Sequence, residues 1–347
     1  MYRLIPASDR ESWKNALALV GEVDATCLPD YHLAYSLRVP DSTALLWHFS
    51  LDDQHLVYPF LMSPVTLDGV ATGHHDISSV YGYTGPLATT TDSGFLRHAW
   101  KAFDEYAVDQ RVIAEFIRFS PFNRNEYLAH PEVLVLANRE LAVSELPATV
   151  NEFHESLSPK TRNMLRRAAR AGLNAQELEL AVHLPEFRAL YAQTMRRNGA
   201  PEFFHYDDAY WAHMLALMPN GIRLFGTFSD GKLVAASIGL VHGQSGLYHL
   251  GASLVENAKL GASNLSLYAM SCGLLASGVT FLNMTGGRTV ADNDPLLLFK
   301  KSNANSFAAF HIGKRVIDMP AYNNLVESWK HHHGMPPNLE KIIFWRN

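Results

Sequence analysis

Lys160, Arg162, Arg166, Arg167 and Arg170 lie within Ser158–Arg170, a stretch that contains no acidic residue. At about 100° per residue, Arg162, Arg166 and Arg170 share one ridge of a helix, with Arg167 beside it. Guanidinium groups pair with phosphate oxygens through two parallel hydrogen bonds, and a helix that starts at Pro159 adds unpaired amides and a positive dipole end. Such a flank suits a phosphate-bearing ligand. The same pattern also describes a solvated helix face capped by Ser158.

Three further clusters carry possible chemistry. Lys259-Leu260-Gly261-Ala262-Ser263-Asn264 falls between a strand pattern and a helix pattern. Small residues there let the backbone approach a phosphate or pyrophosphate, although a plain turn capped by Ser263 has the same signature. Thr285-Gly286-Gly287-Arg288 is followed by Asp292-Asn293-Asp294-Pro295 and by an apolar run ending in Phe299-Lys300-Lys301. A lysine near negative charge developing on an acyl carbonyl or a departing oxygen lowers the barrier electrostatically. A surface lysine pair after a loop would not. The last cluster, His74 to Pro86, is an aromatic, glycine-rich loop suited to substrate contact through Asp76, Tyr81 and Tyr83. The adjacent side chains of His74, His75 and Asp76 rarely converge on one ion, and the same holds for His331-His332-His333, so no metal site is expected.

These residues need elements to hold them. The first half opens with a helical pattern at residues 12–20, then strand-like runs at 44–50 and 55–62 around Asp52 and Asp53, a helix over 94–109 and a buried strand over 111–119. A strand at 133–137 leads into Ser144-Glu145-Leu146-Pro147-Ala148-Thr149, which places a domain boundary between residues 1–147 and 148–347. The second half begins with helices over 150–157, 159–171 closed by Gly172, and 185–198 closed by Gly199. A three-stranded antiparallel meander follows over 222–228, 233–242 and 247–254, then a helix over 262–276, a strand over 279–284, a glycine-rich loop, and a strand and helix around 307–329. Helices, meander, helix and strand make an α+β order with mixed sheets.

Composition narrows the function classes. With 48% apolar and 18% charged residues over 347 positions, the chain fills about two domains and buries its own cores. A formal charge of -5 argues against a general nucleic-acid coat, so any polyanion must meet a local patch. Cys27 and Cys272 form no paired-cysteine spacing, the charged N-terminus lacks the apolar core of a signal peptide, and no run reaches the roughly 18 apolar residues of a membrane span. A cytoplasmic protein is expected. No G-x-G-x-x-G, P-loop, H-E-x-x-H, G-x-S-x-G or C-x-x-C occurs, which lowers dinucleotide redox, P-loop phosphoryl transfer and α/β-hydrolase chemistry.

Taken together, the four clusters resemble the FemABX family of aminoacyl and peptidyl transferases, which pairs two GNAT-like acyltransferase domains. Leu157 to Gly172, with Ser158, Lys160, Arg162, Asn163, Arg167, Ala168 and Gly172, is similar to the family's basic helix at the opening of the second domain. Phe187 to Gly199, ending Thr194-Met195-Arg196-Arg197-Asn198-Gly199, is similar to the helix that follows it. Tyr81-Gly82-Tyr83-Thr84-Gly85-Pro86 resembles the first-domain Tyr-Gly-Tyr-Gly-Gly-Pro loop, with Thr84 in place of a glycine. Gly286-Gly287 with Asp294, Leu296, Leu297, Phe299 and Lys300 resembles the late Gly-Gly, Asp and Phe-Lys motif, from which Pro295 and Ser302-Asn303-Ala304 depart. Lys259, Gly261, Ala262 and Ser263 stand where GNAT acetyltransferases carry the loop [RQ]-x-x-G-x-[GA], of which only the Gly-Ala-Ser core is present. No long charged helical hairpin enters the second domain, so the transfer-RNA arm of longer family members is missing.

The resemblance implies two GNAT-like domains in tandem with a cleft between them, and acyl transfer to an amine with Phe299 and Lys300 at the reacting centre. Direct attack without a covalent intermediate is expected, because Cys272 falls in a helix pattern and no Ser-His-Asp arrangement is visible. Lys300 would stabilise negative charge, the Arg162, Arg166, Arg167 flank would hold a phosphate-bearing substrate or donor, and Arg288 and Asp294 would serve the substrate from the late motif. Asp76, Tyr81 and Tyr83 would hold the acceptor, a small-molecule, peptide or cell-wall-precursor amine. No cofactor is expected to stay bound. The co-substrate is aminoacyl-tRNA, favoured by the resemblance and the basic helix, or acyl-CoA, favoured by the loop at Gly261. A non-catalytic module that binds nucleotide-linked or nucleic-acid ligands through the same helix is a third reading.

Overall fold

A computed structural model of the chain describes every residue except Val290, Asp292 and Asn347. Its contacts divide the chain into two compact units, one of Met1–Asn138 with Phe310–Asn347 and one of Arg139–Ala309.

The first unit begins with β1 (Tyr2–Pro6), α1 (Arg10–Leu19) and α2 (Pro29–Ser36). An antiparallel meander follows, β2 (Thr43–Leu51), β3 (Gln54–Leu67) and β4 (Val70–Ser78), with the short β5 (Leu87–Ala88) paired on β3. α3 (Ser93–Asp109) then crosses over to β6 (Val112–Arg118), which runs parallel to β4. The Asp92 carboxylate caps α3 by accepting from the Phe95 amide. The inward stripe of Phe95, Ala99, Trp100, Phe103 and Tyr106 has helical spacing and packs against Trp47, Tyr58 and Phe60 on the sheet. Each large ring so buried contributes about 2–3 kcal/mol.

β7 (Leu134–Glu145) carries the chain into the second unit, which contains α4 (Val150–Ser156), α5 (Pro159–Arg170), β8 (Asn174–Leu178), α6 (Leu180–Arg197) and α7 (Asp208–Leu215). A second meander, β9 (Ile222–Ser229), β10 (Lys232–His242) and β11 (Ser245–Ser253), is followed by α8 (Val255–Ala258), the crossover helix α9 (Ala262–Ala276) and β12 (Phe281–Thr285), which runs parallel to β11. α10 (Pro295–Ser302) and β13 (Ser306–Val316) lead back to the first unit, where α11 (Met319–His333) completes the helices.

The two units therefore repeat one plan of edge strand, helices, meander, crossover helix and parallel strand. Each is completed by a strand from a distant segment. β13 pairs with β6 from Ile312↔Arg118 to Val316↔Ala114, and β7 pairs with β12 from Ala142↔Thr285 to Glu145↔Phe281. This reciprocal completion explains why the compact units end at 138/139 and 309/310 rather than at the turn around residue 147. Residues 310–347, expected in the C-terminal domain, pack with the first unit because β13 pairs with β6 there.

The parallel pairs differ. β4 stays joined to β6 as far as its own last residue, Ser78↔Phe116, and the Ser79 amide extends the ladder by donating to the Phe116 carbonyl at 2.9 Å. β11 and β12 pair only at Ser245↔Phe281, Gly246↔Leu282 and Leu247↔Asn283. Beyond that point β11 runs on to Ser253 and β12 to Thr285 with no ladder between them among the described residues.

Candidate functional site

α10 begins at a strong stop. The Asp294 Oδ1 accepts from the Leu296 and Leu297 amides at 2.9 and 3.0 Å, and Pro295 occupies the first turn, where its missing N–H costs nothing. Counting from this cap turns Leu297 and Lys300 inward together. Lys301 turns outward and meets the Glu140 carboxylate at 2.6 Å. Two adjacent lysines thus have opposite environments.

The Lys300 side chain is 7% exposed and reaches the end of β12, where Nζ donates to Thr285 Oγ1 at 2.5 Å and to the Gly286 carbonyl at 2.8 Å. It also stands 5.5 Å from the centre of the Tyr248 ring, within range of a cation–π attraction. Tyr248 is the first residue of β11 past the last pair with β12. The ammonium therefore sits where the two strands stop pairing. Burial lowers its pKa to about 7, against the pull of the Asp294 carboxylate. Among the described residues no carboxylate lies within ion-pair distance of Nζ.

Backbone geometry around this lysine is specialised. Thr285 has φ 67°, a left-handed conformation that a β-branched residue adopts at a cost of about 1–2 kcal/mol. Asp294 Oδ2 accepts from the Arg288 and Thr289 amides and from Thr289 Oγ1, which ties the loop after β12 to the start of α10. Burial would raise the Asp294 carboxyl, but these bonds and that from Leu297 prevail and hold it at about 2. A Cβ on Gly287 would come within 2.5 Å of Asp294 Oδ1, so only glycine lets the carboxylate close this loop.

The other clusters also form ordered structure in this unit. α5 buries Thr161, Leu165 and Ala168, and leaves Lys160, Arg166, Arg167 and Arg170 exposed. Ser158 Oγ and Thr161 Oγ1 both donate to the Ser302 carbonyl at the end of α10, so the basic helix is anchored to the Lys300 helix. Arg162 Nη1 donates to the Glu155 carbonyl at 2.8 Å, and Arg166 Nη2 donates to Asn163 Oδ1. Gly261 stands before α9 in the left-handed conformation, φ 88°, and no side chain caps this helix start. A Cβ on Gly261 would lie 2.7 Å from the Met164 carbonyl oxygen, so the glycine lets α5 and the start of α9 approach closely. The Asn264 side chain, in the first turn of α9, donates to Asn303 Oδ1 at 3.0 Å. Lys300, Asp294, the start of α9 and the basic face of α5 are thereby joined through α10.

The remaining predicted residues fall elsewhere. Phe299 is half-buried against the core around α9, Arg288 and Lys259 are exposed, and Ser263 lies in the first turn of α9. In the first unit Asp76 is fully buried, with Trp345 Nε1 donating to it at 2.7 Å and Arg346 paired to both its oxygens. That carboxylate is engaged in holding the C-terminal segment rather than presented to a ligand. Tyr81 is exposed, with the Arg118 guanidinium 5.3 Å from its ring centre and its carbonyl accepting from Tyr31 at 2.6 Å. Tyr83 meets Phe310 edge-on at 5.2 Å. Among the described residues no group of His, Cys, Asp and Glu is arranged to hold a metal ion, and no helix is long and apolar enough to cross a membrane.

Reading the sequence gave Thr285 no role of its own and missed Tyr248 and His249. Thr285 and Tyr248 hold the Lys300 ammonium, and His249 turns to the opposite face of β11, where its Nε2 lies 2.7 Å from the Tyr210 hydroxyl. Burial lowers the His249 pKa to about 3, so the ring is neutral. A meander strand carrying the polar Tyr248-His249 pair in an otherwise apolar run was the available signal.

Residues 159–292 match the acetyltransferase (GNAT) domain family. Among curated proteins none matches the sequence. Among solved structures the chain is similar to FemX at 13% identity and TM-score 0.71, over 94% of this chain and 99% of that one. It is also similar to a conserved protein of unknown function from Bacteroides thetaiotaomicron, at 11% identity and TM-score 0.62 over 91% and 99% of the two chains. L-PGS from Bacillus licheniformis matches at 14% identity and TM-score 0.57 over 92% and 96%. The chain thus shares the fold of FemX, and its residues 159–292 match the GNAT acetyltransferase domain.

Proposed function

We propose that the protein is an acyltransferase that moves an aminoacyl or acyl group from an activated donor to an amine, with Lys300 at the reacting centre. The observation that carries this reading is a buried ammonium without a contacting carboxylate, held by Thr285 and Gly286 where β11 and β12 cease to pair. Buried ionisable groups with strongly shifted pKa values cluster at functional sites.

Attack by the amine on the acyl carbon forms the C–N bond and places negative charge on the carbonyl oxygen. Breaking the bond to the donor places charge on the departing atom. A cation already stripped of water stabilises both without reorganising. A group titrating near 7 is also able to give its proton to the departing atom, and the proton lost by the attacking nitrogen restores it. Direct attack fits the cysteines. Cys272 lies in α9 and burial raises its thiol, so it offers no ready thiolate nucleophile.

The exposed Lys160, Arg166, Arg167 and Arg170 on α5 support aminoacyl-tRNA as donor. The uncapped start of α9 at Gly261 supports acyl-CoA as a second reading, since free amides there suit a pyrophosphate. Either donor is made in the cytosol, where we place the reaction. A small-molecule, peptide or cell-wall-precursor amine is the acceptor class.

Equilibrium binding of charged transfer RNA and of acetyl-CoA across a salt series separates the readings. Affinity for charged transfer RNA that falls steeply with salt supports the first donor, and saturable, salt-shallow binding of acetyl-CoA supports the second. Binding of either with no acyl transfer to any amine would leave a non-catalytic binding module instead.

A further inference from the structure

Asn283 is the last residue of β12 to pair with β11, opposite Leu247. On its other side it pairs with Val143 of β7, after which the register slips and Thr285, rather than Met284, stands opposite Ala142. This bulge delivers the Thr285 hydroxyl to the Lys300 ammonium. It also leaves Thr285 at φ 67°, where a β-branched residue is strained and persists only if its surroundings hold it.

The Asn283 side chain supplies such a hold. Its Oδ1 accepts from the Thr285 amide at 2.8 Å, an Asx-type bond from a side chain to the amide two residues on. The side chain is fully buried, and its Nδ2 has no hydrogen-bond partner among the described residues. A buried donor left unpaired costs about as much as one good bond returns, so the carboxamide adds little to stability. What it fixes is the course of the chain at Thr285. That course sets Thr285 Oγ1 and the Gly286 carbonyl together, and both accept from Lys300 Nζ.

We infer that Asn283 positions the Lys300 ammonium by holding Thr285 in its left-handed conformation. For acyl transfer it is then a positioning residue, a role that rests on the acyltransferase reading, whereas the hold on Lys300 does not. Asp294 on α10, Arg139 on β7, which donates to the Thr289 carbonyl at 3.2 Å, and Tyr248 on β11 are the ionisable groups facing Lys300 or the loop beside it. All three stay in place in the variants below.

The titration of Lys300 tests the inference without any substrate. Carbon-13 NMR of the full chain labelled at lysine Cε follows each ammonium, and the signal missing from Lys300→Met is that of Lys300. Acceptors bonded to an ammonium favour its charged form. Burial already lowers Lys300 to about 7, and Asn283→Leu is expected to lower its midpoint by about one pH unit more, with a melting temperature close to that of the wild type. Glycine takes the left-handed conformation without strain, so Asn283→Leu added to Thr285→Gly should move the midpoint by less than about a third of a pH unit beyond Thr285→Gly alone. Asn283→Asp keeps the acceptor and should leave Lys300 titrating no lower than in the wild type, which also provides a test if Asn283→Leu does not fold. A midpoint unchanged by Asn283→Leu, shifts that add in the double variant, or a fall in Asn283→Asp would each overturn the inference. In single-turnover transfer Asn283→Leu should lose about tenfold in rate with donor affinity within about twofold. The NMR shift in a protein that transfers no acyl group would set aside the acyltransferase reading and uphold the hold on Lys300, and transfer without the shift would overturn the hold alone.

Discussion

The two units are built on one plan and differ where their parallel strands run together. In the first, β4 stays joined to β6 up to its last residue, Ser78, and Arg118 adds a further bond by donating its amide to Ser79 Oγ at 3.0 Å. In the second, β11 and β12 pair at three positions and then stop, and a lysine occupies the point of parting. Buried cations differ between the units. In the first, Arg346 is paired with Asp76, and Arg315 with Asp104 and Glu132 at 2.7 and 2.8 Å, while the buried Asp24 carboxylate accepts from the Thr26 amide and hydroxyl. The second leaves Lys300 with a hydroxyl, a carbonyl and a ring. A buried charge with a contacting counter-charge is satisfied, whereas one surrounded by neutral partners is held ready for charge that arrives with a substrate. Under the proposed function, the closed unit is the scaffold and the open one the site of chemistry.

Removing a partner from the satisfied side should give the largest change in stability. Arg346→Ala leaves the Asp76 carboxylate buried without its cation and is expected to cost about 3 kcal/mol at pH 7 in urea unfolding. Burial already pushes Asp76 up to about 6, against Arg346 and the Trp345 indole. A folded-state pKa above the unfolded one means that the folded state takes up the proton first, so stability gains as pH falls through 6. The variant's deficit should therefore shrink at pH 5. A deficit of the same size at both pH values would show that Asp76 does not carry it.

On the open side a smaller effect of opposite sign is expected. Thr285→Gly relieves the left-handed backbone and should raise stability by about 0.5–1 kcal/mol, while transfer falls because Lys300 loses the hydroxyl that positions it. Stability and activity falling together would place Thr285 with the structural residues. Least of all should happen to the fold when the exposed face of α5 is changed. Arg166→Gln with Arg167→Gln should leave stability within about 0.5 kcal/mol and reduce the salt slope of transfer-RNA binding by about 2. An unchanged slope would remove the polyanion from this helix.

Local signals were legible where the chain punctuates itself. Ser158, Pro159 and Gly172 bracket α5, and the spacing of Thr161, Leu165 and Ala168 sets its buried face. α9 runs from Ala262 to Ala276 as its pattern predicts, directly after the left-handed Gly261. The turn Ser229-Asp230-Gly231-Lys232 joins β9 and β10 where the meander requires it. Distant partners were not legible. Nothing in Asp76 points to Arg346 near the far end of the chain, so its loop neighbours suggested a ligand contact instead. The pairing of β7 with β12 and of β13 with β6 is equally non-local, and the turn at residue 147 is a loop inside the second unit rather than its edge. Lys300 and Lys301 look alike in sequence, and only counting along α10 from the Asp294 cap separates the inward one from its half-buried, ion-paired neighbour.

The central claim is that Lys300 acts on the reacting atoms and not on donor binding, and Lys300→Met tests it because the substitution keeps the apolar stem and removes the charge. With the donor identified by the salt series, single-turnover transfer should fall about 10²–10³-fold, the scale of losing one oxyanion-stabilising group, while donor affinity stays within about threefold. Transfer and affinity falling in equal measure, or transfer unchanged, would contradict the account.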